Sequence, residues 1–164
     1  MRIADVEREI PQQGGAIPFS PGGNYAGASL TGVQLAGLRL SGADFTNADL
    51  QGADLSGACL DNACLRGANL SGANCSLAIL GGADLSGACL RGANLCQANL
   101  VGARADNADF TGADLFYSRP GNGRFQNAVF RDANIERAIF RRADLRGADF
   151  SGAKGQANFE DAQR

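Results

Sequence analysis

The sequence predicts an all-β coil, a solenoid of short strands stacked on one another, and three observations carry that expectation. The first is a count in fives from Tyr25 to Phe150: Ser-Gly-Ala-Asp-Phe (Ser41 to Phe45), Gln-Gly-Ala-Asp-Leu (Gln51 to Leu55), Arg-Gly-Ala-Asn-Leu (Arg66 to Leu70). Of 26 such pentads, 23 place Leu, Phe, Ile or Tyr on the number divisible by five, and 21 place Ala two residues earlier. A self-similarity this regular decides the architecture before any local propensity does. The second is that a helix fails: at about 100° per residue, five residues advance roughly 140° past a full turn, so the leucines form no stripe. The third is parity. In a strand, residues two apart share a face, which suits Ala-x-Leu, but five is odd. A corner in every pentad is needed to bring each Leu back inside. Glycines such as Gly42, Gly52, Gly57 and Gly67 stand where that corner would lie, and Gly tolerates the backbone values a corner demands.

One column hints at the number of sides. Phe110, Phe130 and Phe150 are twenty apart, which stacks them in a four-sided coil. With these motifs the chain resembles the pentapeptide-repeat proteins, whose signature is Ala-(Asp/Asn)-Leu-x-x, over about three quarters of its length. The resemblance implies a right-handed, four-sided parallel β-helix of about 20 residues per coil. At a strand spacing of about 4.8 Å the repeats would then make a rod roughly 30 Å long.

The elements follow in order. Ile3, Val6 and Ile10 form a short helical stripe ended by Pro11, read as an N-terminal helical cap over the open end of the coil, with a partner-binding helix as the alternative. Residues 12–24, rich in Gly and Pro, read as a linker, so that 1–24 is cap and linker and 25–154 the repeat. From Ser41 to Leu115 the pattern is nearly clean. The Asp or Asn before each Leu is expected to hydrogen-bond the nearby backbone. Their recurrence with the scaffold period makes them structural rather than catalytic. Leu77 and Ile79 put apolar groups where water is expected, either a sticky patch on one side or scattered exposure. Phe116 to Arg124 breaks the rules, with Ser118, Pro120 and Gly123 at core places. It reads as an irregular loop that leaves the coil and returns at Phe125, presenting Phe116, Tyr117, Arg119 and Arg124; if it instead stays in register as one side, Arg104 and Arg124 share an outward column flanked by Asp84 and Asp144. After Phe150 the frame slips, and 155–164 reads as an end segment, with Phe159 a plug or the end covered by a second copy.

Composition bounds the function. The 164 residues hold 15 bases and 17 acids, a net charge of −2, which argues against electrostatically driven nucleic-acid binding. There is no histidine, the commonest general base and metal ligand. Five cysteines, Cys59, Cys64, Cys75, Cys89 and Cys96, show no CxxC and no twenty-residue pairing, so free thiols in a reducing, cytoplasmic setting are expected. No cofactor, metal or enzyme activity is implied, and no membrane. Charge is polarised: residues 40–115 carry eight acids and three bases, whereas residues 124–154 carry seven bases and four acids. Arg137, Arg141 and Arg142 in that basic part form either a solvated face or a docking surface, for an acidic partner or for antiparallel self-association. The expected function is a non-catalytic scaffold that binds a protein. The alternative implied by one branch of the resembled family is a gyrase-interacting, DNA-imitating protein of the quinolone-resistance kind. Members of the resembled family often dimerise through their C-terminal coils, which implies a homodimer here.

Overall fold

The computed structural model describes residues 19–164. Each pentad turns once and bridges once. Ala43 N–H donates to the Leu40 carbonyl at 3.0 Å, closing a turn in which Gly42 has φ +67°. A positive φ at the third residue is the signature of a type II β-turn. Two residues of every pentad are spent on that turn and three run along the side. Only the middle one, the fourth of the pentad, bridges its neighbours. The expected short strands are therefore corrected to isolated parallel bridges, one per side per coil, with no longer strand among the described residues.

Every bridge from Asn24↔Asp44 to Asn134↔Lys154 joins residues twenty apart, so the coil has four sides. Side 1 is the column that starts at Asn24 and climbs by twenties to Asp144. Side 2 starts at Ser29, side 3 at Gln34 and side 4 at Arg39. The lumen holds the Leu, Phe and Ala positions of all four, nearly all fully buried. The phenylalanine column stacks as its spacing predicts: Phe110 on Phe130 and Phe130 on Phe150, each at 4.7 Å and nearly parallel.

Three boundaries differ from those the sequence implies. Gly22 N–H already donates to the Ser41 carbonyl and Asn24 bridges Asp44, so the last linker residues belong to the first coil. The helical cap lies outside the described residues. The 116–124 segment is no loop: it keeps the turn-bridge rhythm, and Ser118, Pro120 and Gly123 are buried. Its small residues are compensated locally. A Cβ at Gly123 would sit 2.6 Å from the Phe125 ring, which has folded into the space an alanine would take. Gly23 and Tyr25 repeat that exchange at the start of side 1. Pro120 does cost one rung, because it has no N–H to donate, and the Arg119–Ile139 step alone lacks a bridge. Nor is 155–164 a separate end segment. The coil continues with a nineteen-residue step, pairing Ile139 with Asn158 and Asp144 with Gln163. The shortening is taken up at Gly155 (φ +92°), where a Cβ would collide with the Glu136 backbone. Phe159 then lands on Phe140, 5.3 Å away and nearly parallel, and extends the lumen.

Candidate interaction surface

The surface is decided by one backbone donor. In residues 42–46, Gly42 N–H reaches Asp61, Ala43 reaches Leu40, Asp44 reaches Gly23 and Phe45 reaches Cys64, all on carbonyls. Thr46 N–H alone has no backbone acceptor, and the Asp44 carboxylate takes it at 2.9 Å. An unpaired backbone donor is costly, so each coil corner wants Asp or Asn at the bridging position. That is the physical content of the Asp/Asn in the repeat. It also explains why Asp54 is held below the usual carboxylate range, chiefly by its bonds from Ser56.

Side 3 obeys this rule: Asp54, Asn74, Asn94, Asp114 and Asn134 each accept from the N–H two residues on, at 3.0 to 3.2 Å. They also bond one another up the column, Asn74 to Asp54, Asn94 to Asn74 and Asn134 to Asp114. Side 4 departs from it. Its column reads Arg39, Cys59, Ile79, Asn99, Arg119, Ile139, Asn158, and only Asn99 and Asn158 act as caps. It is also the one side whose column holds no carboxylate.

All five exposed large apolar side chains among the described residues lie on side 4 or its two edges. Ile79 (42% exposed) and Ile139 (39%) stand on the side itself. Leu77 (60%) and Tyr117 (41%) occupy the corner shared with side 3, and Val101 (37%) the corner shared with side 1. Arg137, one coil above Tyr117, lies over its ring at 5.0 Å and donates to its hydroxyl, which raises the Arg137 pKa. Phe116 meets Tyr117 edge-on at 4.6 Å.

The residues singled out from the sequence are thus partly brought together. Leu77, Ile79, Phe116, Tyr117, Arg119 and Arg137 share side 4 and its first edge. Arg141 and Arg142 line its other edge, tied to Glu160 and Asp161. Arg124 does not join them: it stands on side 1, paired with the buried Asp106. Asp106 also accepts Gln126 N–H, replacing the cap that an arginine at 124 cannot supply. Arg124 is therefore part of the scaffold. Ile139 and Val101 were missed, although Ile139 is three twenties beyond Ile79 and a column count finds it.

The thiols are all free. Burial pushes Cys75 up to about 12, and burial with the nearby Asp114 pushes Cys96 up to about 11, so neither is poised as a nucleophile. No cluster among the described residues could hold a metal ion, and no helix among them is long and apolar enough to cross a membrane.

A family model for pentapeptide repeats matches eight copies, over residues 28–67, 65–95, 78–115 and 124–154. The chain belongs to the pentapeptide-repeat family. Proteins of this family form right-handed quadrilateral β-helices, in keeping with the four sides found here. Among solved structures the chain is similar to HetL from the cyanobacterium Nostoc, a pentapeptide-repeat protein involved in heterocyst differentiation regulation. That match is 29% identical, covers 85% of this chain and 73% of HetL, and has a TM-score of 0.44. It is similar to QnrB1, a plasmid-mediated fluoroquinolone resistance protein, at 19% identity and TM-score 0.53, covering 88% and 92%. A pentapeptide-repeat protein of the Arabidopsis thaliana thylakoid lumen is 30% identical over 64% of this chain and 75% of that one, with a TM-score of 0.36. No curated protein matches the chain.

Proposed function

We propose that this pentapeptide-repeat chain is a non-catalytic binding scaffold that docks a protein partner on side 4. The observation that carries the reading is the gathering of every exposed large apolar side chain of the described residues on one side and its edges. Monomeric surfaces scatter such residues; a stripe of them marks a contact. Enzyme chemistry is not part of the reading, because the recurrent carboxylates are occupied as caps and free thiols such as Cys75 are shifted away from reactivity. Those free thiols also suit a reducing, cytoplasmic setting. A photo-crosslinking residue placed at Arg119 on side 4 and, separately, at Arg104 on side 1 tests the reading in the producing cell. A discrete protein adduct is expected from position 119 alone. Equal adducts from both positions, or none, would overturn it.

We infer homodimerisation at the C-terminal end as a second, compatible property. There the lumen opens into a cavity of about 290 Å³ lined by Ile135, Leu145, Phe150, Phe159 and Arg164, an apolar mouth that a second copy would cover. Light scattering over a concentration series tests it, and a constant monomer mass would remove it. Gyrase binding by imitation of DNA remains the alternative function. It draws on the fold shared with QnrB1, but an imitator of duplex charge needs to be acidic along its length, and residues 124–154 carry seven bases against four acids. Unchanged gyrase supercoiling in the presence of the purified protein would discard it.

A further inference from the structure

Resting on side 4 as the docking surface, the geometry points to a partner of defined chemistry: an amphipathic helix rich in carboxylates. Its apolar stripe would lie on Ile79, Tyr117 and Ile139, and its acids would face Arg119 and Arg137.

Four observations carry this. Charge comes first. Arg39 and Arg119 stand in the side 4 column with no ion-pair partner among the described residues, whereas six other arginines, including Arg66, Arg91, Arg124 and Arg131, pair with an acid on another coil. Among the described residues this column holds two unpaired guanidinium groups and no carboxylate. The acids on its edges are already taken: Glu136 pairs with Arg137, Glu160 with Arg141 and Asp161 with Arg142, while Asp61 accepts from Ser41 and Cys59. The excess is complementary to an acid-bearing ligand.

Second, Ile79 and Ile139 are locally unfavourable. At the bridging place an Asp or Asn would cap the N–H two residues on, and isoleucine forgoes that bond. Departures from a local rule of this kind concentrate where a surface serves something other than the fold.

The third observation concerns the backbone. From Cys59 to Asn158 the bridging N–H groups of side 4 are given to carbonyls of the preceding coil, and those left uncapped, such as Gly81 N–H beyond Ile79, stand singly at corners, so the side offers no continuous edge to which a strand could add. A ligand that satisfies its own backbone internally is a helix. From Arg39 to Asn158 the column climbs six coils, roughly 29 Å at strand spacing. A helix of about 18 residues spans roughly 27 Å.

Last, a second copy fits poorly on this face. It would bring another Arg39 and Arg119 to the same stripe and no column carboxylate to meet them.

The test uses the full chain and two labelled peptides of about 18 residues with the same leucine stripe. One carries glutamates on its other faces and the other carries lysines; binding is read by fluorescence anisotropy. The glutamate peptide is expected to bind at least about ten-fold more tightly than the lysine peptide. Arg119→Glu with Arg137→Glu is expected to abolish that preference. Ile79→Asp with Ile139→Asp is expected to weaken the glutamate peptide by about ten-fold or more. These aspartates restore the cap, so the variant should fold at least as well, and its melting curve checks this.

Equal binding of both peptides, lost in the Ile79→Asp, Ile139→Asp variant, would leave side 4 a docking face and overturn the acidic partner. Glutamate-peptide binding untouched by that variant would overturn side 4 itself. Absence of binding by either peptide would overturn the helix. Self-association of the chain that disappears in the same variant would assign the face to a second copy instead.

Discussion

Sides 3 and 4 are built on the same backbone ladder and differ in what they do with their outward column. On side 3 the column satisfies itself: each Asp or Asn caps the next corner, and neighbours bond from coil to coil. From Asp54 to Asn134 no corner N–H is left for a partner to satisfy. On side 4 the column is left open, with two isoleucines, two arginines that have no ion-pair partner among the described residues, and caps only at Asn99 and Asn158. Inside, the lumen does not distinguish the two sides at all. The lesson is a division of labour. Core positions and turns hold the rod, and the single outward residue of each pentad is free to be spent on scaffold or on surface.

The largest effect expected is one that shows no difference between the sides. Leu95→Ala under side 3 and Leu100→Ala under side 4 each empty a fully buried site and should cost about 2–5 kcal/mol. Urea unfolding that found one far cheaper than the other would break the claim of a common lumen. Next comes Ser118→Ala, beneath side 4. The Ser118 hydroxyl is fully buried with no hydrogen-bond partner among the described residues, so removing it should stabilise the protein by about 1–2 kcal/mol. A drop in the melting temperature would show that the hydroxyl is bonded after all.

A gain of about 1 kcal/mol is expected for Leu77→Gly, since Leu77 sits at φ +60°, a left-handed corner that Gly37 and Gly57 occupy with no Cβ in the coils below. If partner binding through side 4 falls in that more stable variant, stability and surface function have been separated. Smallest is the exchange Asn74→Ile on side 3 against Ile79→Asn on side 4. The first loses a cap and the second gains one, so the changes should have opposite signs and be about 0.5–1.5 kcal/mol each. Equal signs in the two melting curves would deny that the bridging residue is a cap.

Much of this was legible in the sequence because it repeats. The five-residue count fixed Ala and Leu inside, the turn at Gly42 and its equivalents, and the stacking of Phe110, Phe130 and Phe150. It also placed Asp and Asn as backbone acceptors. These follow from chain stereochemistry that each pentad obeys alone. The exceptions were misread where their meaning is non-local. Ser118, Pro120 and Gly123 looked like a loop because a pentad cannot show that the Phe125 ring fills the space at Gly123. Gly155 looked like the end of the repeat because only pairing with Glu136 and Ile139 reveals a nineteen-residue coil. Arg124 reads as presented to a partner because Asp106, its ion-pair partner, is eighteen residues away in sequence and adjacent only across coils.

The sequence by itself therefore determined that there is a tube, what fills it and where it turns. Tertiary stacking alone decided which side each outward residue shares with which others. Ile79 and Ile139, sixty residues apart, come onto one side only when every fourth pentad is laid on the last. Neighbourhood across coils depends on the closure of the whole turn, which no single repeat encodes.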